Sequence, residues 1–130
     1  SIMAKNTRRE LREKAMICVY QHLLTRKDLN EIMEDIYLCK KKEMDPFAVL
    51  LVEHSIANEQ RFAGYIDEVI EDWSYDRLGY IEKAILLLGC TEFDNKTNDM
   101  SVIINECVEM AKKYCDENAY RLINSVLEKL

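Results

Sequence analysis

Residues 80–93, YIEKAILLLGCTEF, carry apolar side chains nearly all the way round a helix. A surface helix keeps one polar side, so a segment without one belongs at the centre of a helical bundle. Its longest unbroken apolar run, residues 84–90, is far too short to span a bilayer. No basic-then-apolar leader precedes it, so a cytoplasmic location is expected.

Outward from this segment the sequence keeps helical period. Residues 94–99 read as a polar loop. A following helix carries Ile103, Cys107, Met110 and Tyr114 on one line, and Asp116 caps a last helix whose Ala119, Leu122, Ile123, Val126, Leu127 and Leu130 face inward. Upstream, residues 74–79 form a short connector with room for one helical turn. Before it, Asp45-Pro46 starts a helix, with Asp at the N-cap and Pro at the first helical position. From there Phe47, Leu50, Leu51, Phe62, Ile66, Val69, Ile70 and Trp73 hold one phase, which predicts a single long helix, kinked if anywhere near Gly64. Asp28 caps a shorter helix through Tyr37. Thr7-Arg8-Arg9-Glu10 has the form of a capping box and opens a first helix over residues 7–24.

Six or seven helices on short loops make an all-α bundle. The composition agrees: 130 residues suffice for one domain, 48% are hydrophobic, and only three Gly and one Pro are available to turn hairpins. Met3 reads as the native start, with Ser1 and Ile2 an expected expression remnant and 3–130 a single helical domain. Five cysteines, an odd number without a C-x-x-C pair, point to reduced core thiols rather than disulfides or zinc.

Catalysis has little to stand on. His22 and His54 both fall on the apolar stripe of their helices, where hydrogen-bonded core or boundary histidines belong. The carboxylates of 31–35 and 67–72 fall on faces opposite the apolar stripes and read as solvated. No phosphate-binding Gly loop, nucleophile elbow, H-E-x-x-H or paired Glu-x-x-His is present. No enzyme activity, metal or cofactor is expected.

A net charge of −6 argues against a general nucleic-acid glove but leaves room for a local basic patch. Lys5, Arg8 and Arg12, spaced three and four apart, share one face at the head of the first helix, with Arg9 adjacent. Four cations there oppose the helix macrodipole, which prefers anions. Two readings stay open: a phosphate site, for which arginine forks are suited, and a solubilising end paired with Glu10 and Glu13. Asn118 and Arg121, one turn apart on the outside of the last helix, form a second polar cluster.

Three segments resemble the transcription antitermination factor NusB family. Residues 8–15, RRELREKA, with Tyr20-Gln21, are similar to its R-R-x-A-R-E-x-A…L-Y-Q opening. Residues 81–86, IEKAIL, with Glu92, resemble its V-E-K-A-V-L…E-L helix. Val102-Ile103-Ile104-Asn105-Glu106, then residues 109–114 and 122–129, resemble its V-x-I-N-E…E-L-A-K-x-F…F-x-N-G-V-L-D-K ending.

The resemblance implies seven helices in two small helical subdomains and no enzyme activity. It implies pairing with the ribosomal protein NusE, and joint binding of boxA-type single-stranded RNA in an RNA polymerase antitermination complex, mainly during ribosomal RNA synthesis. Arg8, Arg9 and Arg12 match RNA-contacting positions, as do Asn118, Arg121 and Leu122, and Lys5 is expected to bind RNA with them as part of the same basic cluster; Tyr20 and Glu82 match the protein-partner surface. Asn105-Glu106 is assigned to interhelix hydrogen bonding. Among the departures, Leu122 stands where the family carries Phe, which removes or shifts a stacking contact. Asn118 replaces a common Asp, and Leu87 and Thr91 replace a common Arg and Tyr. The alternative to an RNA-binding factor is a protein-only scaffold or homodimer with a degenerate RNA face.

Overall fold

The computed structural model describes residues 6–130. Seven α-helices follow in order: α1 (Arg8–Thr25), α2 (Leu29–Tyr37), α3 (Pro46–Ala57), α4 (Glu59–Val69), α5 (Tyr80–Asn95), α6 (Met100–Tyr114) and α7 (Glu117–Lys129). Single 3₁₀ turns at Lys41–Glu43 and Tyr75–Arg77 complete the path, and no strand occurs among the described residues.

The capping signals act as their chemistry dictates. Thr7 and Glu10 form the reciprocal capping box of α1, while Asp28, Asp45 and Asp116 accept backbone N–H bonds at the heads of α2, α3 and α7. The apolar segment is central, as its periodicity requires. α5 packs against α1, α3, α4, α6 and α7, and every residue from Ala84 to Glu92 on it is buried. One continuous buried cluster runs from Leu11 to Leu127 through all seven helices. At Gly89 a Cβ would stand 2.8 Å from Leu127 Cδ2 and 3.3 Å from Cys107 Sγ, so α6 and α7 approach α5 there at the distance only glycine leaves open.

The single helix expected over 46–73 is two. Asn58 ends α3 and begins α4, and its side-chain amide donates to the His54 carbonyl at 2.9 Å alongside its own backbone N–H at 3.1 Å. A short amide that bonds the preceding turn in this way competes with helix continuation. Gly64 lies inside α4 and breaks nothing. The chain leaves helix after Val69, so Trp73 sits on a loop and is 48% exposed rather than part of the core stripe.

All five cysteines are free. Burial pushes the Cys18 and Cys90 thiols up to about 12 and the half-buried Cys115 thiol to about 11, so they stay protonated near neutral pH. Leu87 and Thr91 are fully buried. Thr91 shares a 2.7 Å hydrogen bond with Ser55, so these two departures from the family pattern are core adjustments, not surface ones. His22 and His54 are boundary residues bonded to the Lys27 carbonyl and to Asp94.

Candidate nucleic-acid interface

The head of α1 is fixed from three sides before any ligand is considered. The capping box sets where the helix begins, Tyr37 of α2 donates its hydroxyl to the Leu11 carbonyl at 2.9 Å, and α3 brings Phe47 under the first turn. The three arginines there differ in partner and burial. Arg8 is exposed and lays its guanidinium over the Phe47 ring, 3.8 Å from the centroid. Arg9 turns to α6 and forks onto Glu106, with Nη2 donating to Oε2 at 2.8 Å and Nε to Oε2 at 3.2 Å. Its side chain is still 64% exposed, whereas that of Glu106 is 12% exposed.

Arg12 corrects the expectation of a free surface cation. It is 4% exposed, and its Nε and Nη2 donate to the two oxygens of Glu92 on α5 at 2.8 and 2.9 Å. Its Nη1 also stands 3.5 Å from Glu106 Oε1. Thr97 adds a third donor to Glu92, its hydroxyl reaching Oε1 at 2.6 Å. The physical reason lies in the helix phase. Arg12 is three, four and seven residues before Ala15, Met16 and Val19, all buried, so the row it shares with Arg8 leads straight into the core. The Glu92 carboxylate, with Glu106 beside it, holds the guanidinium charged by raising its pKa further. Lys5 lies outside the described residues.

Along α6 the surface continues in mixed charge. Arg9, Glu13, Glu106, Glu109, Lys112 and Lys113 line an open groove of about 420 Å³ between α1 and α6. Lys113 and the Tyr114 hydroxyl both donate to Glu13, at 2.6 and 3.1 Å. Lys112 instead stands over the Tyr120 ring of α7, 5.6 Å from its centroid. The Lys112-Lys113 pair carries cations to this groove that the sequence reading did not single out. The signal was available, because both follow the buried Met110-Ala111 pair at the end of α6.

The second cluster is not beside the first. Asn118 and Arg121 are exposed at the head of α7, with Arg121 paired to Glu117 on its own helix at 2.5 Å. Asn118 and the half-buried Leu122 line a cavity of about 250 Å³ with Trp73 and Arg77. Tyr20 and Glu82 are brought together across α1 and α5 in the adjoining cavity of about 380 Å³, which also takes in Tyr80, Tyr114 and Asp116. Eleven residues of α1, or ~16 Å, separate Arg9 from Tyr20. The expected partner positions and the head of α7 therefore adjoin, and the α1 arginines lie at the other end of the α6 groove. Among the described residues, no group of three or more His, Cys, Asp or Glu is placed to hold a metal ion, and no helix is long and apolar enough to cross a membrane.

Comparison with known proteins bears on the whole of this surface. The sequence model of a family described as the NusB family matches residues 9–130. A transcription antitermination protein NusB of Sulfurovum sp. is 34% identical over 128 residues, covering 95% of this chain and 97% of the relative. Among solved structures, T. maritima NusB superposes with a TM-score of 0.84 at 28% identity, covering 97% of this chain and 91% of the other. A NusB solved with NusE and double-stranded RNA superposes with a TM-score of 0.79 at 25% identity, covering 94% and 93%.

Proposed function

This chain belongs to the NusB family, and we propose on that premise that it is a transcription antitermination factor acting by assembly rather than catalysis. It pairs with a NusE-type ribosomal protein through the surface around Tyr20 and Glu82. Together they hold boxA-type single-stranded RNA and carry it to an RNA polymerase antitermination complex during ribosomal RNA synthesis in the cytoplasm. A NusB in the same fold has been solved with NusE and double-stranded RNA, which supports pairing with NusE and contact with RNA in general.

The observation that carries the reading is the head of α1. Arg8 and Arg9 present guanidinium groups at the surface on a helix start pinned by α2, α3 and α6. Guanidinium forks that already hold one carboxylate are oriented for a phosphate. The same geometry explains a need for help. Arg9, Lys113 and Arg121 are each engaged by a carboxylate of this chain, and the net charge is −6, so RNA must compete with internal anions. A basic partner on an adjoining surface adds positive field and a second attachment. Arg12 serves this site as a positioning residue, holding Glu106 and the helix head from beneath.

The test is binding of a labelled boxA-like RNA by anisotropy, with and without the NusE-type partner. Binding that strengthens clearly when the partner is present supports the reading; no binding even with the partner overturns it. The alternative, a protein-only scaffold or homodimer, draws on the exposed Met100 and Val102 beside Leu130. It predicts self-association without RNA binding in the same titration.

A further inference from the structure

Trp73 is the only tryptophan of the chain, and 48% of its surface is exposed. Its loop is not slack. On one side Lys129 Nζ donates to Glu71 at 3.0 Å. On the other, the buried Tyr75 donates its N–H to Asp67 at 2.7 Å and its hydroxyl to Glu59 at 2.8 Å. A large indole is thus held in water by a pinned segment. The Arg77 guanidinium stands 4.7 Å from its ring centroid, and no ion pair engages Arg77 among the described residues.

Both side chains line the cavity of about 250 Å³ that also contains Glu82, Asp116, Asn118 and Leu122. One oxygen of Asp116 is used in capping α7, accepting from the Ala119 N–H at 2.9 Å. Two carboxylates against one guanidinium make this a poor seat for phosphate. An indole face, a flat cation, an amide and free carboxylate oxygens suit a planar neutral group with N–H donors on its edge. Unpaired bases are recognised by such stacking and edge contacts, and a carboxylate accepts from the amino group of cytosine.

We propose that this cavity receives one unpaired nucleobase bearing an exocyclic amino group. The base stacks on Trp73 and Arg77, its amine donates to the free oxygen of Asp116, and Asn118 contacts its edge. The proposal rests on the RNA-binding reading above and extends it. Leu122, half-buried and aliphatic, offers no ring for stacking; Trp73, across the same cavity, offers one.

Trp73 is its own reporter. The full chain, with a tryptophan-free NusE-type partner, is titrated with end-labelled oligocytidylate and oligouridylate while RNA anisotropy and tryptophan emission are read in parallel. Oligocytidylate should bind more tightly and change the emission. Trp73→Ala should weaken its binding roughly tenfold, with Trp73→Phe retaining most of it and circular dichroism unchanged in both. Binding with unaltered emission, and with Trp73→Ala equal to the unsubstituted chain, overturns the cavity proposal and leaves the RNA-binding reading standing. Equal affinity for the two oligomers overturns the amine contact. An emission change produced by the partner alone, with Trp73→Ala losing the partner but not RNA, makes this a protein-docking surface and also overturns it. No anisotropy change at all removes both readings together.

Discussion

At the head of α1, Arg9 and Arg12 take hold of Glu106 from two directions and Arg12 reaches on to Glu92 inside the bundle; at the head of α7, Arg121 reaches only Glu117, one turn away on its own helix. Both places look alike as sequence, a short polar cluster at a helix start. Their energetics differ because Arg12 and Glu92 have left water, whereas Arg121 and Glu117 have not. A buried, fully bonded ion pair need not stabilise a fold more than apolar residues of the same shape, yet removing one partner strands the other in the interior. An exposed pair between neighbouring turns contributes little. The α1 end is therefore a fixed fitting that positions Arg9, and the α7 end is an adaptable surface beside an aromatic cavity.

Four single substitutions probe that contrast, in descending order of expected effect. Arg12→Ala should cost about 3–5 kcal/mol in chemical denaturation, because it leaves Glu92 buried without its fork. Pairing it with Glu92→Leu should recover much of the loss; a double variant as unstable as the single one would break the account of this end. Thr7→Ala removes the side-chain half of the capping box and should cost about 1 kcal/mol.

Asp94 offers a paired carboxylate in partial contact with water, two residues along α5 from Glu92. Hydrogen bonds from Arg61 first and His54 second draw its pKa down to about 2 from 3.8. A carboxylate with a lowered folded pKa adds stability that is present above its ordinary value and lost as pH falls towards the folded one. Asp94→Asn should thus lower stability at pH 7, by less than Arg12→Ala, and the deficit should shrink as pH falls from about 4 towards 2. Urea unfolding at several pH values measures it. Arg121→Ala should change stability least, by under about 0.5 kcal/mol; a larger loss would erase the contrast between the two ends.

Much of this architecture could be read along the chain. The apolar segment at 80–93 announced the central helix, and Thr7, Asp28, Asp45 and Asp116 marked helix starts that the structure repeats, because caps and periodicity are local properties. What escaped was what depends on neighbours far along the chain. Asn58 splits α3 from α4 through a bond to His54 that a running hydrophobic phase conceals. Arg12 looked like surface because its partners lie 80 and 94 residues away, at Glu92 and Glu106; a carboxylate at the end of the buried stretch of α5 was the available clue. Trp73 continued the apolar phase on paper and left it in space once α4 ended at Val69. For the same reason periodicity could not show that the clusters at α1 and α7 lie apart, with the Tyr20–Glu82 surface adjoining the second.

The central claim is that Arg8 and Arg9 meet RNA phosphate at the head of α1 while Arg12 holds that head in place. It is tested most directly by the salt dependence of RNA affinity, measured with the partner present, for the unsubstituted chain and for the Arg8→Ala/Arg9→Ala variant. Two lost phosphate contacts should flatten the slope of log affinity against log salt by about 1.4 for single-stranded RNA, with the fold intact by circular dichroism. An unchanged slope in a folded double variant would contradict the claim and move the RNA elsewhere on the molecule.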